Sequence, residues 1–239
     1  MASRNWKLAR QALEVLAENP DDTAQAIVVI AAMSGNSNER LFKRFKKSPR
    51  GQQILDERRD LFEILCDRER LLAMPQGSLG RTICEWFMCE DISAEGLAGA
   101  SEAAAAQLPD RPLDRSEEAR VFGTRLLNLH DVFHVLTGYG RDMRGEVACL
   151  AFTFAQTWNT GLGYLVFRAL KGSGWRSPLG LLTRQAFRRG RQSQWLIDQD
   201  WEALLTQPLE TLRTNLGIGP APVYQQVRSP GAPDLTQVA

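Results

Sequence analysis

The sequence is poor in the residues that most often build metal and redox sites. Its 239 residues include two histidines and four cysteines, and no two of the cysteines form a CxxC pair. The cysteines are Cys66, Cys84, Cys89 and Cys149. We therefore expect free, mostly buried thiols in a reducing compartment, not a disulfide framework or a cysteine-based zinc ribbon.

Other signals are missing as well. A membrane span needs about 18 consecutive apolar residues without charge, and no stretch of the sequence is a convincing candidate. The formal net charge of +1 argues against nucleic acid as the main partner. The sequence has neither a GxSxG elbow nor a Walker loop, so it lacks the marks of α/β-hydrolase and P-loop chemistry.

The apolar residues recur at helical spacing almost throughout. With 44% hydrophobic and 24% charged residues, the composition is that of a globular protein. We predict an all-α fold, with one domain over 1–216 and a proline-rich, extended or disordered tail over 217–239. Asp114 and Glu117 have capping-box spacing and should start the helix that carries both histidines. Further helices are predicted over 24–33, 39–47, 52–74 and 94–107.

The two histidines, His130 and His134, lie four residues apart. In a helix this spacing puts both imidazoles on one face, with Asp131 beside them. Eleven residues separate His134 from Glu146, and a continuous helix would carry Glu146 roughly 18 Å away. The intervening segment 137–145 contains three glycines and predicts a helix end and a turn. We predict a metal-binding helical hairpin that gathers His130, Asp131, His134 and Glu146.

Two helical faces border this cluster. On the first helix, Gly123, Leu127 and both histidines form a stripe next to an apolar one. On the second helix a mildly polar face follows Glu146, and it consists of Leu150, Thr153, Thr157 and Thr160. This face could line a pocket, although close helix packing is the commoner use of small residues.

A histidine pair at this spacing is by itself more often a core or capping feature than a metal site. The adjacent Asp131 and the returning Glu146 favour metal binding. The set suits one divalent ion, with zinc favoured and iron, manganese or cobalt as alternatives. A di-iron site would need a second carboxylate-x-x-His motif, and the sequence has only one such motif. An HD-type phosphohydrolase would need a histidine upstream of His130, and the sequence has none there.

Charge is distributed unevenly along the chain. From Val147 to Ile197 there is no aspartate or glutamate, whereas seven basic residues and several aromatic residues occur there. The basic residues are Arg168, Lys171, Arg176, Arg184, Arg188, Arg189 and Arg191. This stretch predicts either a surface that rests on an anionic membrane or a solvated face balanced by acidic residues elsewhere in the fold.

The N-terminal segment shows no targeting pattern. Arg4, Lys7 and Arg10 flank no apolar core, and Glu14 and Glu18 follow them. We therefore expect this segment to belong to the fold and the protein to be cytoplasmic in a bacterium.

The metal motif resembles the signature of a known family. His130-Asp131-x-x-His134, eleven residues and Glu146 are similar to the motif of the coenzyme Q biosynthesis family usually called Coq-four. The likeness continues in 135–138, in the turn 75–80 and in 19–23. It implies a bacterial branch of a helical family that binds one divalent metal ion and a polyprenylated aromatic molecule.

The resemblance implies two alternative roles. As an enzyme, the protein would carry out metal-dependent oxidative decarboxylation of a polyprenyl-hydroxybenzoate, replacing the carboxylate at ring carbon one by a hydroxyl. As a carrier, it would bind isoprenoids or quinone precursors and scaffold other ubiquinone-biosynthesis proteins. Either role implies a peripheral position on the inner membrane, and a homodimer is possible in both.

The chain also departs from the eukaryotic pattern of this family near the motif. Leu127 replaces an arginine, while Arg125 keeps another one two residues earlier. Leu150 and Thr153 replace a lysine and a second glutamate. We expect substrate to contact a set of five side chains around these positions: Arg125, Leu127, Leu150, Thr153 and Thr157.

Overall fold

The computed structural model describes residues 4–108 and 116–229. Within these ranges there are fourteen helices and no strand, which confirms the predicted all-α fold. Among the described residues, we find no helix that combines the length and the apolar character of a membrane span. The helices are α1 (Trp6–Glu18), α2 (Thr23–Met33), α3 (Ser37–Lys47), α4 (Pro49–Asp56), α5 (Leu61–Cys66), α6 (Arg68–Leu72), α7 (Leu79–Glu90), α8 (Ala94–Ala105), α9 (Glu117–Thr137), α10 (Met143–Thr157), α11 (Thr160–Ser173), α12 (Pro178–Gln192), α13 (Trp201–Leu204) and α14 (Leu209–Asn215).

Helix α10 lies at the centre of the fold and contacts α9, α11 and α12. Gly190 lets α12 approach closely, because a Cβ atom there would lie 2.7 Å from the carbonyl oxygen of Phe152. The Gln156 amide spans the same interface and donates to the carbonyl oxygen of Gly190 at 2.6 Å. Phe133 of α9 packs edge-on against both Phe152 and Trp201 in the core. The two helices that carry the histidines and Glu146 therefore rest on a tightly packed support.

The prediction of a single helix over 52–74 is wrong, because this segment forms the end of α4 followed by two short helices, α5 and α6. Arg58 lies two residues after the end of α4 and has φ +49°, a conformation that does not continue the helix. The Asp60 side chain then accepts from the backbone of Phe62 and Glu63, and Asp67 caps the next helix. Aspartate competes in this way with helix continuation, and the apolar periodicity does not reveal it.

The start of α9 is capped by Ser116, whose side chain accepts from the amide of Ala119. The cap predicted at Asp114 lies outside the described residues. Helices α2, α3 and α8 agree with their predicted positions to within about two residues, which is the usual uncertainty of helix ends.

Residues 217–229 run without helix or strand across the helical body. The buried Arg189 guanidinium donates to the carbonyl oxygens of Ile218, Gly219 and Pro220, and also to that of Thr137. These bonds attach the segment to the end of α9. The predicted division of the chain at residue 217 stays a prediction.

Candidate metal centre

Three ligand-type atoms meet between α9 and α10. Nε2 of His134 lies 3.1 Å from Nε2 of His130 and 3.4 Å from a carboxylate oxygen of Glu146. The same oxygen lies 3.6 Å from Nε2 of His130. The spacing of the histidines on α9 and the place of Glu146 in the first turn of α10 produce this arrangement. The structure thus brings together three of the four side chains predicted as ligands.

The triangle formed by these atoms has the size that a metal ion requires. Donor atoms bonded at roughly 2.0–2.1 Å to a tetrahedral zinc ion lie about 3.3–3.4 Å apart. The separations of 3.1, 3.4 and 3.6 Å bracket that value. Two imidazoles and a carboxylate also suit iron, manganese or cobalt. The residues present therefore fit one divalent ion.

The ring of His134 is held in one orientation. Its Nδ1 lies 2.7 Å from the carbonyl oxygen of Tyr139. A carbonyl oxygen can only accept, so Nδ1 carries a proton, and in the neutral ring Nε2 is the nitrogen left to bind a metal ion. Trp86 of α7 stacks on the same ring, with centroids 5.4 Å apart and planes inclined by 22°. Such outer contacts orient an imidazole for metal binding.

The turn between α9 and α10 is fixed by a network around Asp142. This side chain accepts from the amides of Arg144 and Gly145, and the hydroxyl of Tyr224 donates to it at 2.7 Å. Tyr224 in turn accepts from the amide of Gly140 at 2.9 Å. A Cβ atom at Gly145 would lie 2.1 Å from the carbonyl oxygen of Gly140, so only glycine fits immediately before Glu146. The network determines where α10 begins and hence where Glu146 lies.

The charges of the cluster depend on one another. Burial by itself raises the pKa of the Glu146 carboxyl, but His134 and His130 outweigh burial and hold this pKa well below its usual range. Burial and His134 lower the pKa of His130, yet Cys149 and Glu146 raise it to about 10. Glu146 is therefore ionised at neutral pH, which is the form in which a carboxylate binds a metal ion.

Asp131 lies beside the cluster and not within the triangle. Its side chain is buried and forms no hydrogen bond or ion pair with another residue of the described ranges. Burial raises the pKa of its carboxyl, and His130 opposes this shift. Its predicted role, as a ligand or as a group that orients an imidazole, stays a prediction.

A cavity of about 1100 Å³ adjoins the cluster, and His130, Asp131, His134 and Glu146 form part of its wall. Helices α1, α2, α8, α9, α10 and α11 supply most of the rest, together with the loops at 20–21 and 91–93, and much of this wall is apolar. Its apolar lining includes Leu13, Leu16, Ile27, Ile30, Leu162 and Leu165. Small-molecule sites commonly have roughly 300–1,000 Å³, so this volume suits a long ligand.

Four of the five side chains expected to contact substrate line this cavity, namely Leu127, Leu150, Thr153 and Thr157. Arg125 is not part of the wall. Its buried guanidinium pairs with Glu202 and donates to the carbonyl oxygen of Gln199 at 2.7 Å. Arg125 thus joins α9 to α13 in this structure.

Several groups around the cluster are not among the residues predicted from the sequence. Cys149 lies one turn after Glu146, and this spacing of three residues was a readable signal for a shared helix face. Arg141 lies in the turn between α9 and α10 and lines the cavity. Trp86 had no local signal, because α7 is distant from the motif in sequence.

A model of the family described as "Coenzyme Q (ubiquinone) biosynthesis protein Coq4" matches residues 5–222. The chain belongs to the Coq4 family. This agrees with the resemblance of the histidine motif. In a Coq4 protein, the triangle between α9 and α10 and the adjoining cavity are the features to which a function must be related.

Two curated Coq4 relatives illustrate the similarity. The mitochondrial ubiquinone biosynthesis protein COQ4 of Phaeosphaeria nodorum is 32% identical over 191 residues, 79% of this chain and 62% of that protein. The mitochondrial COQ4 homologue of Mus musculus is 32% identical over 192 residues, 76% of this chain and 65% of that protein. The chain thus spans slightly less than two thirds of the length of these relatives.

A crystal structure shares the fold. It is that of a candidate ubiquinone biosynthesis protein from Nostoc punctiforme PCC 73102, and it superposes with a TM-score of 0.61. The match covers 91% of this chain and 100% of that chain at 18% sequence identity. At this identity the likeness concerns the fold alone.

Proposed function

We propose that this Coq4 protein acts in ubiquinone biosynthesis, as a metal-dependent oxidative decarboxylase of a polyprenyl-hydroxybenzoate. The observation that carries the proposal is the continuity between the apolar cavity and the triangle of His130, His134 and Glu146. A ligand with an apolar tail and a polar aromatic head can fill this space with its head beside the cluster. A carrier would need no such continuity.

The proposed reaction exchanges one substituent of the aromatic ring. The bond between ring carbon one and the carboxyl carbon breaks and releases CO2, and a carbon–oxygen bond forms at the same ring carbon. Dioxygen is the oxidant, since the acid and half an equivalent of dioxygen give the phenol and CO2. A bound divalent ion supplies a Lewis acid for an oxygen ligand at this site.

The residues around the cluster have different roles in the proposed reaction. His130, His134 and Glu146 hold the ion, and the contact with Tyr139 keeps Nε2 of His134 available. Arg141 lines the same cavity and offers a cation to the substrate carboxylate. Leu127 and Leu150 stand where the eukaryotic pattern has charged residues, and they extend the apolar surface around the head of the ligand.

The stretch from Val147 to Ile197 contains no aspartate or glutamate and is called the acid-free stretch below. We propose that it rests on the cytoplasmic face of an anionic membrane. Six of its seven basic residues are exposed, and Arg189 is the buried exception. Four large apolar side chains of the same stretch are exposed as well: Trp158, Phe167, Trp175 and Leu181. Basic and exposed apolar side chains together suit a lipid interface. A polyprenylated substrate would reach the cavity from such a surface.

The alternative role is that of an isoprenoid carrier that scaffolds other ubiquinone-biosynthesis proteins. The extent of the apolar wall beyond the cluster favours this role as well. In a carrier the ion would be structural, so its removal should unfold the protein. In the enzyme its removal should stop turnover while the fold persists.

The experiment compares wild type with His134→Ala and Glu146→Gln. Bound metal is measured by elemental analysis, folding by circular dichroism, and the product by mass spectrometry of a prenylated hydroxybenzoate incubated in air. We expect both variants to stay folded, to lose the metal ion and to form no phenol. Glu85→Gln is the matched control, because Glu85 is exposed and its ion pair within the described residues is with Arg81. Metal retention in both variants, or product formation without metal, would refute the proposal.

A further inference from the structure

A fourth ligand-type side chain, Cys149, lies beside the triangle. It is on α10, one turn after Glu146, and its side chain is completely buried. Its Sγ and one ring nitrogen of each histidine all lie within 4.8 Å of one another. The cluster therefore combines atoms from two turns of α9 and two turns of α10.

The surroundings of this thiol leave it free to bind a metal ion. Within the described residues, its contact with the backbone is a long one, 4.0 Å from Sγ to the carbonyl oxygen of His130. A thiol is a weak donor, so giving up this contact costs little. In a tetrahedral zinc site with bonds of about 2.3 Å to sulfur and 2.0–2.1 Å to nitrogen, these atoms lie about 3.5 Å apart. These atoms are at most 4.8 Å apart, so each separation has to shorten by no more than about 1.3 Å when the ion binds.

Charge balance favours the same conclusion. Two neutral imidazoles and one carboxylate leave a divalent ion with a net charge of +1, and burying net charge is costly. A thiolate brings the charge of the ion and its four ligands to zero. The thiol proton is released to solvent when the metal ion binds.

We propose that Cys149 binds the metal ion as a thiolate, alongside His130, His134 and Glu146. The proposal rests on the metal centre of the proposed function and adds a soft ligand to it. A thiolate favours zinc and cobalt over manganese or magnesium. It also completes a tetrahedral set, so substrate must enter as a fifth ligand or displace Glu146, whose side chain is the most exposed of the named ligands.

The test is a cobalt titration of the full-length, metal-free protein in a phosphine reductant. A thiolate bound to Co2+ gives an intense charge-transfer band in the near ultraviolet, whereas histidine and carboxylate ligands give only weak visible bands. We expect the band in wild type and its loss in both Cys149→Ser and Cys149→Val. Cys84→Ser is the matched control, because Cys84 is also buried but lies near Arg68, and this variant should keep the band.

A competition measurement adds a second readout. Cys149→Ser should lower the affinity for Zn2+ by about tenfold or more, and that for Mn2+ by a smaller factor. Cobalt binding to wild type without the charge-transfer band would overturn the role of Cys149 and leave the three-ligand centre intact. A wild-type protein that binds no Co2+ at all would overturn the proposed metal centre together with this inference.

Discussion

Nδ1 of His134 donates a hydrogen bond to the carbonyl oxygen of Tyr139 over 2.7 Å, across the end of the helix that carries the histidine. Tyr139 lies beyond the last turn of α9 because Gly138 adopts φ +77° and turns the chain back. The amide of Gly138 also donates to the carbonyl oxygen of His134 at 2.9 Å. The helix end therefore determines which nitrogen of His134 faces the proposed metal ion.

The first prediction concerns this helix end. Gly138→Ala places a side chain at positive φ and brings its Cβ to 2.5 Å from the Cβ of Ala221. We expect a loss of roughly 1–3 kcal/mol in the free energy of unfolding, measured by urea denaturation of the metal-free protein. Zinc affinity should also fall by about tenfold, because the carbonyl that orients His134 moves.

The matched control for this substitution is Gly172→Ala. Gly172 is helical, and a Cβ atom there meets nothing within 4 Å. It should stabilise the protein by up to about 1 kcal/mol and leave zinc affinity unchanged. Equal zinc affinities for Gly138→Ala and wild type would show that the Tyr139 contact does not position His134.

The helical faces around the motif were predictable from the sequence. Periodicity placed Gly123 and Leu127 on the same stripe as the histidines, and all of them line the cavity. It likewise placed Leu150 on the face of Glu146 that borders the same space. These predictions succeed because a helix converts spacing directly into direction.

Other parts of the site depend on contacts that sequence spacing does not contain. The stacking of Trp86 on His134 joins α7 to α9 across the fold. Arg125 was expected near the substrate but pairs with Glu202. The division of segment 52–74 into short helices depends on whether Asp60 and Asp67 cap or continue a helix, and tertiary packing decides that choice.

The second prediction tests the cavity. Gly123 lines it, and a Cβ atom there meets nothing within 4 Å. Gly123→Leu should therefore fill part of the cavity without a clash and weaken binding of a prenylated hydroxybenzoate by about tenfold or more, measured by calorimetry. Gly99→Leu is the matched control, because Gly99 is also helical and open but lies outside the cavity. Equal affinities of the two variants would place the ligand elsewhere.

The third prediction tests the membrane surface. Phe167 and Trp175 are about half exposed in the acid-free stretch. Replacing both by serine should weaken binding to vesicles of anionic phospholipid by at least about tenfold, since burying one such side chain contributes roughly 1.5–3 kcal/mol. Binding by wild type should also fall as salt is added, because exposed arginines attract the headgroups. Sedimentation with vesicles provides the measurement.

The control for vesicle binding is Trp6→Ser. Trp6 is 60% exposed but lies on α1, outside the acid-free stretch. It should bind vesicles as wild type does. If wild type fails to sediment with anionic vesicles, or if Trp6→Ser and the double variant lose binding equally, the acid-free stretch is not the membrane surface.

The fourth prediction concerns the extended segment 217–229. Arg228 forms a two-pronged ion pair with Glu90, whose carboxylate is buried at the end of α7. Arg228→Met leaves that carboxylate buried without a partner, so we expect a loss of roughly 3 kcal/mol in unfolding free energy. Arg144→Met is the control, because Arg144 donates to the exposed Gln225, and it should cost less than about 0.5 kcal/mol.

A double variant separates the ion pair from other effects of Arg228. If the cost arises from the unpaired carboxylate, adding Glu90→Gln to Arg228→Met should recover part of the lost stability, because the amide carries no charge to bury. Additive losses in the double variant would show that the two side chains act independently. Urea denaturation, followed by the fluorescence of the tryptophans, measures the unfolding free energy of Arg228→Met, Arg144→Met and the double variant. Recovery would mean that this pair holds the segment on α7, so residues 217–229 belong to the folded body around Asp142 and the candidate metal centre.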